Sequence, residues 1–125
     1  MNLPEQYLFT QDHEWISKTT GEASVGLTSY ALEQLGDVIY IDLPEVGQTF
    51  ESGDTFGTIE STKTVSDLYL PCGGKIIAVN KDLIDQPEKV IEDPYENGWL
   101  IKVEVSQAKE ELMDKTSYQS YLDGK

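Results

Sequence analysis

The chain reads as a mainly β domain, a small sandwich or flattened barrel with a few short helices. Three observations predict it. Apolar and polar residues alternate over short runs, as in Ala23, Val25 and Leu27 with Ser24 and Gly26 between them. The runs are rich in β-branched and aromatic residues. Glycines at Gly47, Gly53, Gly73, Gly74 and Gly98 punctuate them at the spacing of tight turns. With 125 residues, 38% of them hydrophobic, the chain has material for one domain and one modest core. It divides into a β core at about 7–105 and a helical C-terminal segment at about 106–125, within a single domain spanning 1–125.

The elements follow in order. Tyr7-Leu8-Phe9 and Glu14-Trp15-Ile16 form short extended pieces, and Gly21 marks the next turn. The Ala23–Leu27 alternation is a strand. Thr28 or Ser29 can cap a brief helix over 30–35, which Gly36 stops. Asp37-Val38-Ile39-Tyr40-Ile41-Asp42-Leu43 is the most β-prone run, and Pro44 ends it because proline cannot donate to a ladder. Phe50, 55–61, 64–70, 75–80 and 99–105 are further strands. Pro87 opens a single helical turn over 88–91. At the C-terminus Ser106 is positioned to cap a helix with Ala108 and Leu112 on one face. Thr116 and Gln119 have capping-box spacing before a stripe of Tyr118, Tyr121 and Leu122.

Composition narrows the function. The net charge is −14, and all nine basic residues are lysine. Without arginine the chain lacks the usual bidentate ligand for phosphate, and its acidity disfavours nucleic acid. No run is long and apolar enough for a membrane span. A single cysteine, Cys72, and a single histidine, His13, exclude an internal disulfide and a multi-histidine metal site. Cys72 reads as a small packing residue. No glycine-rich phosphate loop precedes a helix. No carboxylate spacing marks a catalytic pair. The start of the chain has neither a secretory nor a transit-peptide pattern. These features point to a binding or carrier module rather than an enzyme, with no catalytic residue and no metal assigned.

One residue then stands out. Lys63 falls where two β-prone runs meet, within Thr58-Ile59-Glu60-Ser61-Thr62-Lys63-Thr64-Val65-Ser66-Asp67-Leu68. A lysine at a hairpin tip has no core to serve. An amide there would remove its charge and lengthen a flexible stem, and a reactive group on such an arm reaches nearby partners at high effective concentration. A plain interaction domain with an ordinary surface lysine is the alternative on residues alone.

The ordered motifs resemble one family. Asp12-His13-Glu14-Trp15, Val25-Gly26-Leu27-Thr28, Leu35-Gly36-Asp37-Val38, Leu43-Pro44-Glu45-Val46-Gly47, Gly57-Thr58-Ile59-Glu60-Ser61-Thr62-Lys63 and Asp93-Pro94-Tyr95-Glu96-Asn97-Gly98-Trp99, with Asn80, Leu83 and Pro87, are similar to the H proteins of the glycine cleavage system. The resemblance spans about Asp12 to Val105. It implies the lipoyl/biotinyl hammerhead fold, a flattened β barrel with short helices. It implies lipoic acid in amide linkage on Lys63; the chain is less similar to a biotin carrier, because threonines and not methionine flank the lysine.

By the same resemblance, three enzymes are the partners: a pyridoxal-phosphate glycine decarboxylase, a tetrahydrofolate-dependent aminomethyltransferase and dihydrolipoamide dehydrogenase. A lipoylating enzyme attaches the cofactor, and the carrier, expected as a monomer, shuttles an aminomethyl group. The loaded arm is expected to fold into a cleft at Asp12, Glu14 and Asp67, where carboxylates face its ammonium and apolar groups such as Leu68 or Trp15 limit water. A second reading is a relay protein that donates lipoate to 2-oxoacid dehydrogenase complexes. The compartment would be the cytoplasm in a bacterium, or the mitochondrial matrix if a leader was removed. The sequence departs from the family at Thr62 and Thr64, where valine and alanine are common, and in the 29–34 helix, which lacks the family's frequent histidine.

Overall fold

The computed structural model describes residues 6–107 and 111–124. Among the described residues nine strands form two antiparallel sheets. β1 (Leu8–Phe9), β2 (Glu14–Ile16), β3 (Gly21–Leu27), β5 (Thr49–Phe50), β8 (Gly73–Val79) and β9 (Ile101–Gln107) build a six-stranded sheet in the order β1-β2-β3-β9-β8-β5. β4 (Val38–Asp42), β6 (Thr55–Ser61) and β7 (Val65–Tyr69) build a three-stranded one in the order β4-β6-β7. Helices α1 (Ser29–Leu35), α2 (Lys81–Asp85) and α3 (Lys115–Asp123) and a 3-10 turn at Pro87–Ile91 complete the chain.

The inward faces of the two sheets meet in one core. Val25, Ile76, Ile101 and Val103 come from the larger sheet, and Ile41, Ile59 and Leu68 from the smaller, all buried. Cys72 is buried in the same core, as its packing assignment expects. A second, aromatic cluster joins the chain's two ends: Phe9, Trp15 and Tyr118 are buried, with Tyr7, Tyr95 and Trp99 against them. Phe9 stacks on Tyr118 at 4.8 Å, and its backbone bridges Met113. Gly26 gives Trp15 its place. A Cβ there would stand 2.6 Å from the indole, so only glycine lets the ring lie on β3.

Polar groups that must be buried are satisfied. Asn80 Nδ2 donates to the carbonyls of Asn97 at 2.9 Å and Trp99 at 2.8 Å, pinning the 93–99 loop to the start of α2. Among the described residues no buried side-chain nitrogen or oxygen lacks a partner.

The structure corrects the sequence reading in four places. Gly73 and Gly74 are not a turn but the first residues of β8, and Ser106 and Gln107 are not a helix start but the end of β9. One pairing explains both, because Gly73 lies opposite Gln107 and Gly74 opposite Val105. Ala108 lies outside the described residues. α3 is capped by Asp114, whose side chain accepts from the Ser117 N–H, and not by Thr116. α2 had no counterpart in the sequence reading. Gly36 does need a left-handed backbone, at φ +80°, whereas Gly98 is required for space: a Cβ would sit 2.7 Å from the Asp93 carbonyl oxygen.

Candidate functional site

The β6–β7 connection is three residues long, Thr62 to Thr64, all exposed. Its shape is fixed from below by Ser61. The Ser61 N–H donates to the Thr64 carbonyl at 2.8 Å. Its hydroxyl oxygen accepts from the Lys63 and Thr64 N–H groups, each at 3.2 Å. Thr62 N–H donates to the Asp37 carbonyl at 3.0 Å, tying the turn to the end of α1. A small residue with one hydroxyl thus orders the backbone on both sides of Lys63 while the lysine stays in solvent. The stem of Lys63 lies over Gly36, its Cε 3.5 Å from where a Cβ would stand.

Beside the turn is a cleft of about 410 Å³ between α1 and the β6–β7 sheet. Leu27, Leu35, Ile59 and Leu68 line its apolar part, and Asp12, Asp67, Thr64 and Ser66 its polar part. The structure therefore brings Asp12 and Asp67, which are far apart in sequence, to one wall system next to Lys63. Leu68 lines the cleft as anticipated. Trp15 does not; its indole N–H donates to the carbonyls of Leu27 and Pro94, each at 3.1 Å, in the aromatic cluster.

Glu14 is placed differently from its two companions. It is only 2% exposed and does not line the cleft. Its Oε2 accepts from the Tyr69 N–H at 2.6 Å, and the Thr10 hydroxyl donates to its Oε1 at 3.4 Å. Tyr69 follows Asp67 by two residues on β7, so Glu14 buttresses the strand that carries Asp67. Thr10 organises the other side: its hydroxyl oxygen accepts from the Asp12 and Glu14 N–H groups, each at 3.2 Å.

His13 received no role from the sequence, yet it lines the cleft with Tyr30 of α1. The two rings lie 4.6 Å apart. His13 sits at φ +66°, a left-handed conformation that histidine tolerates better than most residues. Its Nδ1 is 2.8 Å from the Tyr118 hydroxyl, which is 2.9 Å from the Thr28 hydroxyl, the cap of α1. Burial pushes the Tyr118 phenol well above its ordinary range, against the hydrogen bond from Thr28, so it stays protonated. Its signal in the sequence was its place in the Asp12-His13-Glu14-Trp15 motif. An imidazole is absent from α1 itself, but one reaches its face from the β1–β2 turn.

The chain is similar to known proteins over nearly its whole length. A family model described as glycine cleavage H-protein matches residues 7–125. A glycine cleavage system H protein of Bacteroides thetaiotaomicron is 48% identical over 126 residues, covering 99% of this chain and 100% of that protein. One from Listeria monocytogenes is 45% identical over 125 residues, covering 98% of this chain and 100% of its own. A crystal structure of a glycine cleavage system H protein from Mycobacterium marinum superposes with a TM-score of 0.92 at 41% identity, covering 97% of this chain and 99% of that one. The fold is thus the lipoyl/biotinyl type of β barrel-sandwich that the motifs implied.

Proposed function

The chain belongs to the glycine cleavage H-protein family, and from that premise we propose that it is the system's lipoyl carrier, with Lys63 as the attachment residue. The observation that carries the reading is the Lys63 turn: a solvent-facing amine on a backbone fixed by Ser61, beside a cleft that holds two carboxylates. The residues present fit the cofactor. The lysine is exposed for amide formation, and the adjacent cleft combines an apolar floor with an acidic wall. Lipoate, once attached, supplies a reducible disulfide on a long arm that can carry an aminomethyl group between enzymes.

The chain's own residues then do three things. Ser61 presents Lys63 in one orientation to the lipoylating enzyme. Asp12 and Asp67 give the cleft the negative potential that suits a cationic amine, while Leu35, Ile59 and Leu68 limit water around it. Glu14 acts from behind that wall by holding β7 in place through Tyr69. The partners are the pyridoxal-phosphate decarboxylase, the folate-dependent aminomethyltransferase and dihydrolipoamide dehydrogenase. The carrier is their shared substrate and catalyses nothing alone. It works in whichever compartment holds those enzymes.

Intact mass after expression with lipoate and a lipoylating enzyme tests the attachment. The native chain gains one lipoyl increment, and Lys63→Arg gains none while keeping its thermal midpoint. A lipoylated Lys63→Arg protein would show that another lysine is the tether. Glycine–bicarbonate exchange with the decarboxylase tests the pathway: a lipoylated carrier that supports no exchange would instead favour the lipoate-relay reading.

A further inference from the structure

Among the described residues the exposed large apolar side chains are Ile39, Tyr40, Val46, Val65, Ile84 and Ile91. None lies on the six-stranded sheet. Ile39 and Tyr40 belong to β4 and Val65 to β7, while Ile84 of α2 and Ile91 of the 3-10 turn stand on elements packed against β4. Val46 follows in the loop after β4. The gathering has a local cause. Val38 pairs with Ser61 and Tyr40 with Glu60, so Ile39 is the extra residue of a β-bulge. Strict alternation would turn one of two consecutive side chains inward. The bulge instead leaves both Ile39 and Tyr40 in water, 52% and 50% exposed. Tyr40, Glu60 and Val65 form one row across all three strands of the smaller sheet. Ile41 and Ile59, the next residues in register, are buried, so the row lies on the outward face. It is the last row before the Thr62–Thr64 turn.

We propose that this row, together with Ile39, is the docking face for the enzyme that forms the amide on Lys63. The inference rests on the reading of Lys63 as the lipoylated residue. Apolar side chains gathered on one side of a strongly acidic molecule mark an interface. Position selects the partner. In the acylation step the free Lys63 amine displaces AMP from a lipoyl adenylate and loses a proton. The enzyme must therefore bring its reacting centre to Nζ itself, and its footprint includes the surface around the turn. Enzymes that act at the far end of an attached arm are free to dock elsewhere. Direction narrows the footprint. The Thr62 N–H donates to the Asp37 carbonyl and the Lys63 stem leans over Gly36, both at the entry to β4. A catalyst over that amine covers the start of β4, where Ile39 and Tyr40 stand. Charge states the partner's chemistry. Asp37, Asp42 and Asp67 are exposed around the row, Glu60 sits within it, and β4, β6 and β7 carry no lysine. The matching surface has an apolar centre and a rim of lysine or arginine. The same acids repel a second copy of this chain.

Lipoylation kinetics of the apo chain test this, with a lipoate ligase, lipoate and ATP, read as the rate of mass gain. Ile39→Thr combined with Tyr40→Thr is expected to raise the KM for the apo chain about tenfold with little change in kcat, the loss typical of an interface hot spot. Threonine keeps the β preference of both positions. Should the pair disturb the fold, Val65→Thr is the second variant, with a several-fold rise in KM expected. Val46→Thr, at the end of β4 away from Lys63, keeps the native KM. The double variant, once driven to full lipoylation, supports glycine–bicarbonate exchange at the native KM for the decarboxylase. An unchanged KM for lipoylation in a folded variant overturns the proposal. So does a fall in kcat alone, or an equal rise in the KM of the decarboxylase. A native dimer in sedimentation that the double variant abolishes would give the face to a second copy and overturn it too. A native chain that never gains the lipoyl mass on Lys63 sinks the carrier reading itself, and the docking face with it.

Discussion

Ser61 is small and buried, and the turn that carries Lys63 depends on it. Replacing it by alanine removes the hydroxyl that holds both the Lys63 and Thr64 N–H groups. Water can reach those exposed amides, so the cost is modest, about 1 kcal/mol in a denaturant titration. The larger effect is on presentation: Ser61→Ala is expected to slow lipoylation several-fold at unchanged Lys63 exposure, read as the rate of mass gain. The acidic wall is tested separately. Replacing Asp12 and Asp67 together by alanine leaves stability within about 0.5 kcal/mol, since both are exposed. Ammonia release from the loaded protein then rises several-fold. An unchanged release rate would remove the wall from the mechanism. Lys63 was legible in the sequence because a hairpin tip is a local feature. The separation of Glu14 from Asp12 was not, because burial of one of two nearly adjacent acids depends on Tyr69, fifty-five residues away.

Elements show the same division between local and distant causes. α1 was anticipated from its own residues, with Thr28 accepting from the Ala31 N–H at 3.3 Å and Gly36 closing it. The ends of β8 and β9 were not, because a glycine pair and a Ser-Gln pair look like loop chemistry until they are laid opposite each other. α3 depends on Asp114. The Ser117 N–H, then the Ser117 side chain and the Thr116 N–H, hold its carboxyl below the usual carboxylate range. A carboxyl with a lowered folded value stabilises at neutral pH, begins to lose that effect as pH falls through the ordinary range, and has lost it below its own lowered value. The docking of α3 is therefore expected to weaken in acid. Circular dichroism melts from pH 7 down to pH 2–3 should show this decline, and Asp114→Asn should flatten the part of it that comes from this cap.

At the scale of the molecule, a net charge of −14 on 125 residues sets how the carrier meets its partners. A field of one sign speeds encounters with basic docking faces and is screened by salt. Raising ionic strength from about 0.05 M to about 0.5 M is expected to raise the apparent KM of the partner enzymes for this protein several-fold with little change in kcat. Insensitivity to salt would assign the acidity to solubility alone. The fold class and the place of Lys63 at an exposed hairpin tip were readable from the chain because alternation and turn chemistry are written locally. The cleft was only partly readable, since His13 and Tyr30 become its lining through the meeting of a turn and a helix. Trp15, sealed in the aromatic cluster, stacks on Tyr7 at 4.7 Å and lies 6.2 Å from Tyr95. The Tyr95 hydroxyl in turn accepts from the first amide of α1 at 3.0 Å. The molecule thereby carries a native fluorophore wired to the helix beside Lys63, and once the second tryptophan, Trp99, is replaced by phenylalanine, the emission of Trp15 can report the state of the carrier without any added dye.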